Sequence, residues 1–236
     1  MKKVVFTLPC AGGSSYNYSR WKLDGDVQLI NVEYPGHWTR WEEKLPFDYI
    51  SLLDDIERQI LDYVCLYGNL DIYICGHSMG ALLACLLSQK SGVKEWIKGI
   101  IVIAMVAPSK AIELEFENLT DIADINFFLS ENRRVPDKIL KSDFFVENML
   151  EPIISDFRIF NKMVNEYGNF KKLNVPCLVM YSEEDPLIKS KDIGAWGEYF
   201  DNIKYSKFSG NHFFLFKSHY IPKVCSEINE FIKRDN

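Results

Sequence analysis

The sequence predicts an α/β protein built on a mostly parallel sheet with helices on both faces. Short apolar, β-branched runs alternate with longer stretches of helical period, the rhythm of crossover connections. Gly76-His77-Ser78-Met79-Gly80 stands between the apolar run Ile72-Tyr73-Ile74-Cys75 and the small-residue segment Ala81-Leu82-Leu83-Ala84-Cys85-Leu86-Leu87, a strand-to-helix turn with a serine at its apex. At 236 residues with 47% hydrophobic content, the chain is long enough for one sizeable core and short for two.

Strands are expected at 4–8, 27–34, 72–75, 99–103, 177–181 and 203–208. Between the second and third, Ile50, Leu53, Ile56, Ile60 and Val64 recur at helical spacing with Asp54, Asp55, Glu57 and Arg58 facing out, which predicts a helix over 47–66 packed by one face on the sheet. A last helix over 221–233 has Pro222 in its first turn and Val224, Ile228 and Phe231 on one side. From about 112 to 167 the rhythm breaks. That segment carries helical patterns without a strand and many large apolar residues, among them Ile125, Phe127, Phe128, Leu129, Phe144, Phe145, Met149, Leu150, Phe157 and Phe160. It is read as an insertion in a single domain spanning 1–236, and its apolar side chains suit a lid over an acyl-chain pocket and the core of a helical subdomain equally.

The formal net charge of -6 argues against a nucleic-acid binder, which shows a basic excess or stripe. The six cysteines, at 10, 65, 75, 85, 177 and 225, fall mostly in apolar segments without the spacing of a zinc site and read as small buried hydrophobes in a reducing cytosol; no metal is expected. Met1-Lys2-Lys3 followed by Val4-Val5-Phe6-Thr7-Leu8-Pro9-Cys10 imitates a lipoprotein signal, but Pro9 interrupts the apolar run at strand length, below the roughly 7–15 residues of a signal core. No segment approaches the ~20 apolar residues of a membrane span. The expectation is a cytoplasmic protein with no membrane partner.

In a turn of this kind the serine is a nucleophile held above the sheet edge, its flanking glycines leave room for neighbouring backbone, and the N–H of the next residue, Met79, is a ready oxyanion donor at a helix N-terminus. A serine hydroxyl needs an imidazole to take its proton and a carboxylate to fix that imidazole. The chain order Ser, acid, His excludes His37 and leaves His77 as the variable residue inside the turn. His212 follows the strand at 203–208 through Ser209-Gly210-Asn211, at the carboxyl edge where open α/β sheets gather their chemistry. His219, just before the last helix, is the alternative, better suited to solvent or a cap. The acid is expected at Asp185 in Tyr181-Ser182-Glu183-Glu184-Asp185-Pro186, with Glu184 as runner-up. The loop Leu8-Pro9-Cys10-Ala11-Gly12-Gly13-Ser14 should give the second oxyanion donor, Ala11 N–H or alternatively that of Cys10, whose thiol has no dedicated base and reads as a pocket wall.

Taken together, the first loop, the serine turn, Asp185-Pro186 and Gly210-Asn211-His212-Phe213-Phe214 resemble the type II thioesterases, stand-alone α/β-hydrolases that accompany nonribosomal peptide and polyketide synthases. The likeness covers nearly the whole chain: Pro9 to Ser14 is similar to the family's Pro-x-Ala-Gly-Gly-Ser loop, Tyr34-Pro35-Gly36 to its Tyr-Pro-Gly-Arg turn, and Glu151-Pro152-Ile153-Ile154-Ser155-Asp156-Phe157 to its lid motif. Two positions depart. His37 stands where the family usually has arginine, and Ser155 where the lid motif usually carries one, which bears on substrate and partner preference.

The resemblance implies an α/β-hydrolase fold with a helical lid and a serine thioesterase, with Ser78, Asp185 and His212 catalytic and Met79 and Ala11 forming the oxyanion hole. It implies no cofactor beyond the phosphopantetheine carried by the substrate, and an acyl or peptidyl carrier protein as partner. The enzyme is expected to be a monomer. Arg133, Arg134, Lys138 and Lys141 could meet an acidic carrier, although a solvated helix face is the simpler account of them. A carboxylesterase or lipase acting on oxygen esters, and a ligand-binding scaffold without turnover, remain the alternatives.

Overall fold

The computed structural model describes residues 2–90, 92–114 and 136–234. Six strands, β1 (Lys2–Leu8), β2 (Gln28–Asn31), β3 (Leu70–His77), β4 (Ile97–Ile103), β5 (Cys177–Ser182) and β6 (Ile203–Phe208), form one sheet in the order β2-β1-β3-β4-β5-β6. Every pairing is parallel. All six expected strands are present. β2 is shorter than its apolar run because the chain leaves this edge position after Asn31 to enter the Tyr34-Pro35-Gly36 turn.

Successive side chains of a strand point to opposite faces, and here both faces are covered. Ile72, Ile74, Ile100, Val102, Cys177 and Val179 pack into a core with α1 (Tyr49–Tyr67), α2 (Met79–Leu87) and α3 (Leu150–Asn165). Tyr73, Cys75, Ile101, Ile103, Leu178 and Met180 pack on the other face with Tyr18, Trp21 and α4 (Ile221–Lys233), which buries Val224, Ile228 and Phe231 as its spacing requires.

α1 starts at Asp48, whose side chain accepts the Ser51 N–H (2.9 Å) while the Ser51 hydroxyl oxygen accepts the Asp48 N–H (3.1 Å), a reciprocal cap that satisfies two otherwise orphaned donors. Leu53, Ile56, Ile60 and Val64 are buried as expected, but two neighbours are not where their period puts them. Ile50, in the first turn, is exposed, whereas Asp55 is buried because Arg40 reaches it from the preceding loop (2.6 Å). Five cysteines are buried free thiols; Cys65 is exposed, on the outer side of α1.

Between β4 and β5 the described residues form helices and no strand. Phe145, Leu150, Phe157 and Phe160 enter the same core as β3 and α1, while Phe144 and Met149 face outward. Of the apolar residues expected here, Ile125, Phe127, Phe128 and Leu129 lie outside the described residues, as do Arg133 and Arg134; Lys138 and Lys141 are exposed. Among the described residues no helix is long and apolar enough to cross a membrane.

Candidate active site

β3 ends at His77 and α2 begins at Met79, so Ser78 alone makes the turn, at φ 53° and ψ -119°. For an L-residue this is strained backbone, held by the Ser78 N–H donating to the Ile103 carbonyl (2.9 Å) and the Ser78 carbonyl accepting the Ala81 N–H (2.9 Å). The glycines have a visible reason. A Cβ on Gly76 would stand 2.2 Å from the Gly80 carbonyl oxygen, and one on Gly80 would stand 2.2 Å from that of Leu8 and 2.6 Å from that of Pro9. The turn therefore seats directly on the end of β1, where the 8–14 loop begins. Ser78 is half-buried at the carboxyl edge of the sheet, and the Met79 amide opens α2 beside it.

Asp185 and His212 arrive at the same edge, from the loops after β5 and β6. His212 Nδ1 donates to Asp185 Oδ2 (2.7 Å), and both groups are buried. Because a carboxylate only accepts, this bond fixes the proton on Nδ1 and leaves Nε2 as the basic nitrogen. Asp185 Oδ1 accepts the Leu187 N–H (2.9 Å), which holds the carboxylate in plane for the imidazole. Glu184 is exposed and accepts the Gly210 N–H (2.9 Å); the Ser182 hydroxyl donates to the Gly210 carbonyl. The acid loop is thus stitched to the histidine loop, and the geometry separates Asp185 from its runner-up. His219 is exposed, with its ring on Tyr220.

His77 is the first residue whose part the sequence does not reveal. Fully buried, it donates from Nε2 to the backbone carbonyl of His212 (3.0 Å), with the two imidazole rings 5.0 Å apart. The residue preceding the serine therefore anchors the histidine loop. Only its place inside the turn was a signal, since a variable position there can hold any side chain that fits.

On the other side of Ser78, the 8–14 loop is braced at its first three carbonyls. The Tyr18 hydroxyl donates to Leu8 O (3.1 Å), the Tyr34 hydroxyl to Pro9 O (3.0 Å) and the Gly13 N–H to Cys10 O (2.8 Å). Burial pushes both tyrosine hydroxyls well above their ordinary pKa, so they remain donors. Gly12, at φ 62°, donates its N–H to Asp156 Oδ2 (2.7 Å) on α3, and the same oxygen receives His37 Nε2 (3.0 Å). Ala11 and Cys10 are buried. The contact of His37 with Asp156 is the second feature missed in the sequence. Its signal is Asp156 itself, a carboxylate on the buried stripe of α3 with Ile153, Phe157 and Phe160.

Among the described residues no group of three His, Cys, Asp or Glu side chains is arranged to hold a metal. A strained serine at a strand-to-helix turn, above a parallel sheet with an Asp–His pair in the loops after later strands, is the layout of the α/β hydrolases. The profile described as the alpha/beta hydrolase family matches residues 4–219, and the chain belongs to that family.

Among curated proteins the chain is similar to part of the AMB antimetabolite synthetase AmbE of Pseudomonas aeruginosa, 23% identical over 212 residues. The match takes in 88% of this chain and 10% of that protein, so the chain spans about a tenth of the curated relative. Its fold is shared with ClbQ from the colibactin NRPS/PKS pathway (TM-score 0.83, 20% identity, 100% of this chain and 98% of that one). It is also shared with YbtT, a type II thioesterase from the yersiniabactin NRPS/PKS biosynthetic pathway (TM-score 0.75, 19% identity, 98% and 91%).

Proposed function

We propose that this protein is a type II thioesterase that hydrolyses acyl groups from the phosphopantetheine arm of a carrier protein in a nonribosomal peptide or polyketide pathway. The observation that carries the reading is the buried Asp185–His212 pair, with the His212 carbonyl held by His77, the residue immediately before the strained Ser78. The fold shared with ClbQ and YbtT supports the substrate class. The single domain, with residues 112–167 as its lid, belongs to this reading, as do action as a monomer in the cytoplasm and the absence of a cofactor other than the substrate's own phosphopantetheine.

Ser78 Oγ attacks the thioester carbonyl as its proton passes to His212 Nε2, and Asp185 stabilises the imidazolium that forms. The N–H groups of Met79 and Ala11 hold the oxyanion, each donor lowering the barrier by roughly 2.7–4 kcal/mol. The C–S bond breaks and the thiol leaves with the proton from Nε2. Water then gives its proton to the same nitrogen and attacks the acyl-serine ester, and Ser78 recovers its hydrogen as the free acid departs.

The test is a panel of acyl-phosphopantetheine carrier proteins, each assayed beside an oxygen ester of the same acyl group. The expected result is kcat/KM at least tenfold higher on the carrier thioester and abolished in Ser78→Ala. An equal or greater rate on the oxygen ester would assign the protein to the carboxylesterases. Failure of a fluorophosphonate to label Ser78 would make it a binding scaffold.

A further inference from the structure

We propose that His37 and Asp156 form a buried ion pair that positions the oxyanion loop, so that α3 helps set the Ala11 N–H through the Gly12 amide. The inference rests on the reading of Ala11 as an oxyanion donor. Its foundation is hydrogen-bond chemistry. His37 Nε2 faces a carboxylate oxygen of Asp156 at 3.0 Å, and His37 Nδ1 faces the Pro35 carbonyl oxygen at 3.0 Å. Neither oxygen can donate. Both ring nitrogens must therefore carry hydrogen, and the ring is an imidazolium.

Its counter-charge is the carboxylate of Asp156, of which only 1% is exposed. An unpaired carboxylate this deep would be strongly disfavoured, and the buried cation offsets that cost. The carboxylate in turn takes the Gly12 N–H at 2.7 Å. The peptide that carries the Ala11 N–H is held at its own Cys10 carbonyl by the Gly13 N–H, the peptide before it at the Pro9 carbonyl by Tyr34, and the peptide after it at the Gly12 N–H by Asp156, which joins the loop to α3.

The charged and titratable groups around His37 act in one direction. Burial alone would lower its pKa, but the charge and hydrogen bond of Asp156, the Pro35 carbonyl and the charge of Glu33 together raise it to about 9. Glu33 is itself buried and occupied by Ser15, the Tyr34 ring stands edge-on at 5.9 Å, and Arg40 in the following turn is engaged by Asp55 and Glu43. As pH rises through that range the ring loses a proton, one of its two hydrogen bonds fails, and Asp156 is left as an uncompensated charge. Hydrolysis then acquires an alkaline limb that belongs to His37.

The experiment compares wild type, His37→Arg, His37→Gln and Asp156→Asn. Carrier-thioester hydrolysis is followed from pH 6 to 10, and the His37 ring is titrated by nitrogen-15 NMR. Wild type should show a ring pKa well above the ordinary 6.5 and a kcat falling in parallel with its titration. His37→Gln and Asp156→Asn should lose about 10–100-fold in kcat at neutral pH with KM within about twofold, the signature of a misplaced donor. His37→Arg, a cation that keeps its charge at every pH tested, should restore most of kcat and flatten the alkaline limb.

A His37 ring titrating near 6.5, or a wild-type alkaline limb unchanged in His37→Arg, would overturn the proposal. The NMR titration needs no substrate, so it decides on the ion pair even if the thioesterase reading fails. His37→Arg also guards against a glutamine or asparagine variant that does not fold.

Discussion

The positive φ of Ser78 costs roughly 1–3 kcal/mol, which the surrounding turn must offset. What is gained is a hydroxyl lifted off the sheet beside the first amide of α2, the N–H that the proposed mechanism gives to the developing oxyanion. Replacement of Asp185 by asparagine keeps the shape but removes the charge that sets the His212 tautomer, so kcat should fall by about 10³–10⁴ while thermal unfolding is little changed. An Asp185→Asn enzyme with wild-type turnover would refute the assignment. His77→Ala should be milder. Losing the donor to the His212 carbonyl leaves that group buried and unpaired, at about 1–3 kcal/mol of stability, and frees the histidine loop to drift. A kcat about tenfold lower in a still-folded protein, measured beside its melting temperature, is the expected outcome.

At the scale of elements, the serine turn, the end of β1 and α3 form one stack. Gly80 is its tightest joint: a methyl group there meets backbone oxygens of Leu8 and Pro9, which cannot swing aside as a side chain would. Gly80→Ala should therefore lower the melting temperature and activity together, whereas an alanine at the exposed Gly194, which has open space around it, should do neither. The His37–Asp156 contact also links stability to pH. Because the folded protein holds His37 at about 9, above its ordinary 6.5, it binds that proton more tightly than the unfolded chain does. The stabilisation is complete below about 6.5 and fades as pH climbs through 9. Melting temperature should decline between pH 7 and 10, and His37→Arg should decline less.

Across the whole molecule, the strands and the two long amphipathic helices were legible because a sheet buried on both faces leaves uninterrupted apolar runs, and helices packed on it leave a 3.6-residue stripe. The placement of the proposed catalytic residues was legible for a related reason: Ser78, Asp185 and His212 each follow a readable strand, and parallel strands deliver their ends to one edge. What pattern could not supply was pairing across distance. Asp55 looked like surface because its partner Arg40 comes from a loop, and Ile50 looked buried because the period runs on past the point where the core stops covering it. Asp156 and His37, 119 residues apart, look like a stray charge and a departure from pattern until α3 brings them together. His77 needed the fold to show that its reach ends on the His212 carbonyl.

The order of the strands has one more consequence. Neither pair at this edge is held by sequence neighbours: His37 reaches Asp156, and Asp185 reaches His212, only after β2 and β6 have taken opposite margins of the sheet and α3 has docked. Parallel pairings of this kind close long loops and form slowly. Turnover is therefore a gauge of completed assembly. During refolding from urea, helical circular dichroism should return before thioester cleavage does, and regain of function should keep time with the slowest packing step.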